Sequence, residues 1–140
     1  MSVALTRLRR VSTGARQLHF LVVDDNEDIR DVFCRLVQRA GHVASTATDG
    51  LEAVELLQSE SFDVMLLDLT MPRMNGVEVV RWMRDHPEVG ASMRVVVISA
   101  WAGEHRAALQ ELGVENVMQK PLRIQQLTDL IAETLPDPES

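Results

Sequence analysis

Val64-Met65-Leu66-Leu67-Asp68-Leu69-Thr70-Met71-Pro72-Arg73-Met74-Asn75-Gly76 is the stretch on which the fold turns. Four consecutive apolar residues run straight into an acid, and a loop carrying Pro72 and Asn75-Gly76 follows. So short an unbroken apolar run, bounded by turn chemistry, reads as a strand over 63–67 that is covered on both faces. Pro and Asn-Gly beyond Asp68 are the residues a chain uses to leave a sheet and turn.

The same pattern recurs on either side. Residues 19–23 are apolar and end abruptly in Asp24-Asp25-Asn26. Val95-Val96-Val97-Ile98 is a strand that Ser99 closes, and 114–119 is a short fifth strand followed by Lys120-Pro121. Residues 43–48, rich in small and β-branched side chains, form the remaining strand and run into Asp49-Gly50.

Between these strands the period changes. Ile29, Val32, Phe33, Leu36 and Val37 mark one face of an amphipathic helix over 27–40, stopped by Gly41. A second helix follows Asp49-Gly50 with Leu51, Val54 and Leu57 facing inward. A third covers 77–85, with Pro87 just beyond its end, and a fourth runs over 103–112 to Gly113. The last, over 122–135, shows Ile124, Leu127 and Ile131 on one face. Five strands alternating with five helices predict an α/β fold, a (βα)5 doubly wound parallel sheet.

Bulk properties agree with one such domain. The chain has 140 residues, 46% of them hydrophobic, enough for a single core without staples. No apolar run approaches the roughly 18 residues a membrane span needs. The single cysteine, Cys34, cannot form an internal bridge, and its place in a helix reads as a buried, inert thiol. No secretory signal or lipidation motif is present, so the expected location is cytoplasmic. Residues 1–16 carry Arg7, Arg9, Arg10 and Arg16 with no acid, a charge of +4, while the remainder carries −11. An acidic body argues against nucleic acid as a direct partner. The basic segment reads as a solvated arm.

The chemistry concentrates where a parallel sheet places its ligands, beyond the carboxyl ends of the strands. Asp24-Asp25, Asp68, Ser99 and Lys120 stand just past the ends of strands 1, 3, 4 and 5. If strands 1 and 3 are neighbours, three carboxylates meet. At ~5 Å and an effective dielectric near 20, each pair costs roughly 3 kcal/mol, about 10 kcal/mol for three. That rivals the whole stability of a domain, so a cation must offset it. Hard oxygen ligands with room for water and phosphate favour Mg²⁺. Lys120 is the only lysine beside thirteen arginines, so a compact ammonium at this position looks chosen for its type. In such a setting Asp68 can attack phosphorus and form an acyl phosphate, with Ser99 and Lys120 donating to the phosphoryl oxygens.

These segments resemble the receiver domains of bacterial two-component response regulators, including the chemotaxis type. The matching stretches are Val22-Val23-Asp24-Asp25-Asn26, Leu66 through Gly76, Val97-Ile98-Ser99-Ala100 and Gln119-Lys120-Pro121, in one order and on the expected elements. The resemblance implies a flavodoxin-like strand order 2-1-3-4-5. It implies that Asp68 is the phosphoacceptor, and that Asp25, Asp68 and the Thr70 carbonyl ligate Mg²⁺ with Asp24 helping through water. Ser99 and Lys120 would contact the phosphoryl group, and the Lys120-Pro121 bond would be cis. The donor would be a phosphohistidine on a histidine kinase or phosphotransfer protein, or a small acyl phosphate. A downstream protein target would dock on the face of the fourth helix, fifth strand and fifth helix.

On this reading residues 1–17 are a basic, flexible arm, 18–135 the receiver domain and 136–140 a frayed end. The chain would be a stand-alone receiver that catalyses only its own phosphorylation and dephosphorylation. The alternatives are the receiver module of a hybrid histidine kinase and a degenerate receiver that scaffolds partners. A phosphohydrolase of this type needs a second carboxylate two residues after the nucleophile, where Thr70 stands. One departure concerns the readout: Val117 occupies the place where receivers usually carry Tyr or Phe. Thr70 and Trp101 hold the positions that tune hydrolytic water in the family. His19, His42, His86 and His105 lack ligand spacing and read as structural or surface residues. Neither G-x-G-x-x-G nor a P-loop is present.

Overall fold

The structure, a computed structural model, describes residues 17–71, 73–90, 93–100, 103–114 and 116–133. The expected basic arm before Gln17, Pro72, Trp101 and the frayed end lie outside the described residues. The strands are β1 (His19–Val23), β2 (Val43–Ala47), β3 (Val64–Leu67), β4 (Arg94–Ser99) and β5 (Asn116–Gln119). The principal helices are α1 (Glu27–Arg39), α2 (Gly50–Ser59), α3 (Gly76–Arg84), α4 (Arg106–Glu111) and α5 (Ile124–Glu133). All strand pairs are parallel, in the order β2-β1-β3-β4-β5.

Alternation along the strands sorts the side chains to two faces. Leu21, Val23, Met65, Leu67 and Val97 point to one core, which Ala53, Leu57, Val79, Val80, Met83 and Leu109 of α2, α3 and α4 cover. Phe20, Val22, Val64, Leu66, Val96 and Ile98 point to the other, covered by Phe33 and Val37 of α1 and Leu127, Leu130 and Ile131 of α5. Both faces are therefore dry, which is why β1, β3 and β4 read as unbroken apolar runs.

Capping explains where several helices begin. Asn26, Asp49 and Asn75 each accept a backbone N–H from the first turn of α1, α2 and α3, and Glu78 completes a capping box with Asn75. His105 makes no such bond, and α4 starts at Arg106 rather than at 103. Pro87 does not merely follow α3; it opens an additional single turn, Pro87–Gly90, as its fixed φ suits a first helical position. β5 is shorter than 114–119, though Val114 is buried.

Three residues expected on inward faces are exposed. On α2 the buried positions are Gly50, Ala53 and Leu57, so Leu51 is turned outward and is 44% exposed. Val32 lies on the outer flank of Phe33. Ile124 opens α5 before the helix reaches the sheet and is 66% exposed. Cys34 is half-buried, and burial with Asp31 nearby pushes its thiol pKa up, which keeps it protonated and unreactive. Among the described residues no helix is long and apolar enough to cross a membrane.

Candidate functional site

The register of the sheet assembles the site. Val23 is level with Leu67 across β1 and β3, so Asp24 and Asp68, one residue later on each, emerge side by side. The ladder runs on past the strand ends, with the Asp68 N–H donating to the Val23 carbonyl at 2.9 Å. Ser99 is level with Gln119, and the Lys120 N–H donates to the Ser99 carbonyl at 2.9 Å. The peptide bond between Lys120 and Pro121 is cis.

One carboxylate oxygen each of Asp24, Asp25 and Asp68 lies within 4.8 Å of the others. Asp24 and Asp68 are buried, 2% and 6% exposed, while Asp25 faces outward. The Lys120 ammonium is 2.9 Å from Asp24 Oδ2 and 3.7 Å from Asp68 Oδ1. Asp24 Oδ1 accepts the Asn26 N–H at 2.9 Å, and the Arg30 guanidinium donates to the Asp24 carbonyl at 2.8 Å. These bonds hold the Asp24 carboxylate with one oxygen toward the backbone and the other toward Lys120.

Asp68 is buried with only partial compensation. Its pKa is raised above the ordinary aspartate value, first by burial and then by the Asp24 charge, with Lys120 and the Thr70 N–H working in the opposite direction. That N–H lies 3.4 Å from Asp68 Oδ1. Three carboxylates outnumber the Lys120 ammonium and the Arg30 guanidinium beside them, an excess of negative charge that a bound cation would offset. The donors are all oxygen, two of them are buried, and Asp25 and Thr70 are open to solvent. The residues present therefore fit Mg²⁺ with retained water ligands.

Asp24, Asp25, Asp68 and Lys120 converge, as the sequence suggested. Ser99 is fully buried at the adjacent strand end, and Thr70 is exposed on the loop that leaves Asp68. Val117 packs partly buried against the core shared by α2, α3 and α4. The histidines lie outside this cluster. His42 is buried with its Nδ1 accepting the Leu18 N–H, His19 packs on Phe62 and His86 stacks on Trp82.

Sequence reasoning missed the groups that hold the loop after Asp68. Asp49 reads as an ordinary turn residue, yet it is 5% exposed and pairs with Arg73. Gly50 donates its N–H to the Met74 carbonyl at 3.0 Å, and a Cβ there would overlap that carbonyl. Gly76 donates to the Leu69 carbonyl at 3.0 Å, and a Cβ there would strike the Asp68 carbonyl. The Asp-Gly and Asn-Gly pairs were visible as turns. That Gly50 touches the backbone of the neighbouring turn at Met74, and that Gly76 closes its own turn back on Leu69, was not.

Residues 20–132 match the family model for the response regulator receiver domain. Response regulator MprA of Mycobacterium ulcerans is 32% identical over 111 residues, covering 79% of this chain and 47% of that protein. The polar-differentiation response regulator DivK of Brucella anthropi is 27% identical over 118 residues, 84% of this chain and 95% of that one. The structure of chemotaxis response regulator CheY4 of Vibrio cholerae aligns with a TM-score of 0.77 at 27% identity, over 84% of this chain and 98% of that one. The chain thus spans about half the length of the MprA relatives it matches.

Proposed function

The chain belongs to the response regulator receiver domain family of two-component signalling, and from that premise we propose that it is a switch that accepts a phosphoryl group on Asp68. The observation that carries this reading is a buried, under-compensated Asp68 carboxylate, grouped with those of Asp24 and Asp25, and 3.7 Å from the Lys120 ammonium. An Asp68 oxygen attacks phosphorus of a phosphohistidine on a histidine kinase or phosphotransfer protein. The P–N bond breaks, its electron pair leaving with the imidazole nitrogen, an acyl phosphate forms, and the ring departs neutral because its other nitrogen already carries the proton. Asp24, Asp25, Asp68 and the Thr70 carbonyl would hold Mg²⁺. Its chemistry there is to neutralise charge on the phosphoryl oxygens.

Lys120 turns part of its charge from Asp24 toward the new phosphoryl oxygen, and the Ser99 hydroxyl donates to another. Thr70 provides no carboxylate to activate water, which favours a lasting acyl phosphate over rapid turnover. The same chemistry serves a free-standing receiver and a receiver within a hybrid kinase. Output passes to a protein partner through the face of α4, β5 and α5, where Val117 stands in place of the usual Tyr or Phe. Gln119 Nε2 donates to the Ala100 carbonyl at 2.6 Å, beside Ser99.

Acetyl phosphate with Mg²⁺ should add one phosphoryl group, seen by intact mass, and chelation of the metal should abolish labelling. Asp68→Asn should take none. Equal labelling of Asp68→Asn and the unaltered chain would remove Asp68 from this role.

A further inference from the structure

The turn after Asp68 contains a residue in a conformation that its type disfavours. Arg73 has φ 67°, the left-handed region in which a Cβ crowds the backbone and where glycine is the easy choice. Its side chain offers a reason. Nε donates to Asp49 Oδ2 at 2.8 Å and Nη2 approaches the same oxygen at 2.6 Å. Asp49 is itself committed, since its Oδ1 accepts the Glu52 N–H at 2.9 Å and caps α2. The Arg73 pair therefore ties the loop after β3 to a fixed, buried helix cap.

Two backbone bonds reinforce the tie at neighbouring residues, from Gly50 to Met74 and from Gly76 to Leu69. Thr70, whose side of the loop faces solvent, sits between the buried Leu69 and Met71. Holding the far flank of this turn would limit where the Thr70 carbonyl can lie relative to the carboxylates.

We propose that Arg73 is a positioning residue for divalent-cation binding: by clamping Asp49 it fixes the loop from which the Thr70 carbonyl meets the metal. The inference rests on the phosphoacceptor reading and adds the residue that sets its metal affinity. Partners one layer beyond the ligands commonly change metal affinity by about 10- to 100-fold. A clamp acting through the loop backbone should sit at or below the lower end of that range.

Charge and clamp predict opposite signs, which makes the test decisive. Arg73 is a cation on the loop that leaves Asp68, so any long-range electrostatic effect of its removal would tighten Mg²⁺ binding. Loss of the clamp would weaken it. Arg73→Gly is the informative variant, because glycine accepts φ 67° and removes the side chain without adding strain.

The full chain would be titrated with MgCl₂ and followed by two-dimensional amide NMR, alongside acetyl phosphate labelling at saturating Mg²⁺. The expected result is a Kd weakened about three- to tenfold in Arg73→Gly. Labelling at saturating Mg²⁺ should stay within about twofold of the unaltered chain, since the clamp sets loop position and leaves Asp68 and Lys120 untouched. Arg73→Lys keeps the charge and reaches Asp49 with one ammonium, so its Kd should fall between the two. A Kd for Arg73→Gly that is unchanged or tighter overturns the proposal. If the unaltered chain itself shows no Mg²⁺-dependent shifts around Asp25 and Asp68, the phosphoacceptor reading fails and takes this inference with it. The failing protein tells the two cases apart.

Discussion

Asp68 concentrates the energetic conflict of the site in one side chain. Burial and the Asp24 charge raise its pKa in the folded protein. Between the ordinary aspartate value and that raised value, the folded chain holds more protons than the unfolded chain. Stability therefore falls as pH rises through this window, and the penalty is greatest above the raised value. Asp68→Asn keeps the shape and removes the charge. In a chelator at pH 7 it should be more stable than the unaltered chain by about 1–2 kcal/mol, an ordinary size for one substitution but with the less common sign. The advantage should shrink toward pH 4, where Asp68 protonates even in the unfolded chain, and paired thermal melts at the two pH values check it. Asp68 and Lys120 were legible from the sequence because their type and position were both unusual, an acid after four apolar residues and one lysine among thirteen arginines. Arg73 was not, because its signal is a backbone angle and a partner 24 residues away.

At the level of elements, the strands announce themselves because both faces of the sheet are dry, and each strand end then places its polar residue at a common rim. The strand order and four of the site residues follow from that pattern together with the family resemblance. Helix bounds were less legible. They depend on caps such as the missing one at His105, and on which flank of an amphipathic face the neighbouring element happens to cover, as with Leu51 and Ile124. The turns between elements carry two tests. At the turn into α2, Gly50→Ala places a methyl group on the Met74 carbonyl, a backbone atom with little room to retreat. A cost of about 1–3 kcal/mol in urea unfolding is expected, the usual scale of overpacking. At the turn between α1 and β2, His42 Nδ1 accepts the Leu18 N–H at 2.9 Å, which requires an unprotonated Nδ1. Burial lowers the pKa of His42, with Asp63 partly opposing. The stability tied to it is full above the ordinary histidine value near 6.5 and is lost as pH falls through the lowered folded value. His42→Asn retains an acceptor oxygen and does not titrate, so urea midpoints between about pH 7 and pH 5 should fall less steeply for that variant.

Over the whole molecule, the acidic cluster draws on strands that lie at the centre of the sheet. Asp24 and Asp25 follow β1, Asp68 follows β3, and Lys120 follows β5 at one edge, with each helical layer packed on the same strands. A cation bound there bridges elements that can only separate when the sheet comes apart. Its binding energy should therefore appear in the global unfolding transition, not in local fraying. At tenfold excess over its Kd, Mg²⁺ adds about 1.4 kcal/mol through linkage. For a domain of this size that is roughly 3–6 °C in Tm, within one cooperative transition. Asp25 provides the control. It is exposed and lies outside both cores, so Asp25→Asn removes no packing, and by relieving repulsion with Asp24 and Asp68 it should leave the metal-free melt equal to or above that of the unaltered chain. It removes a ligand charge, so most of the Mg²⁺-dependent rise should disappear with it. A rise of equal size in Asp25→Asn would place the cation elsewhere on this acidic surface. A rise confined to the unaltered chain ties the metal to the rim where β1 and β3 end.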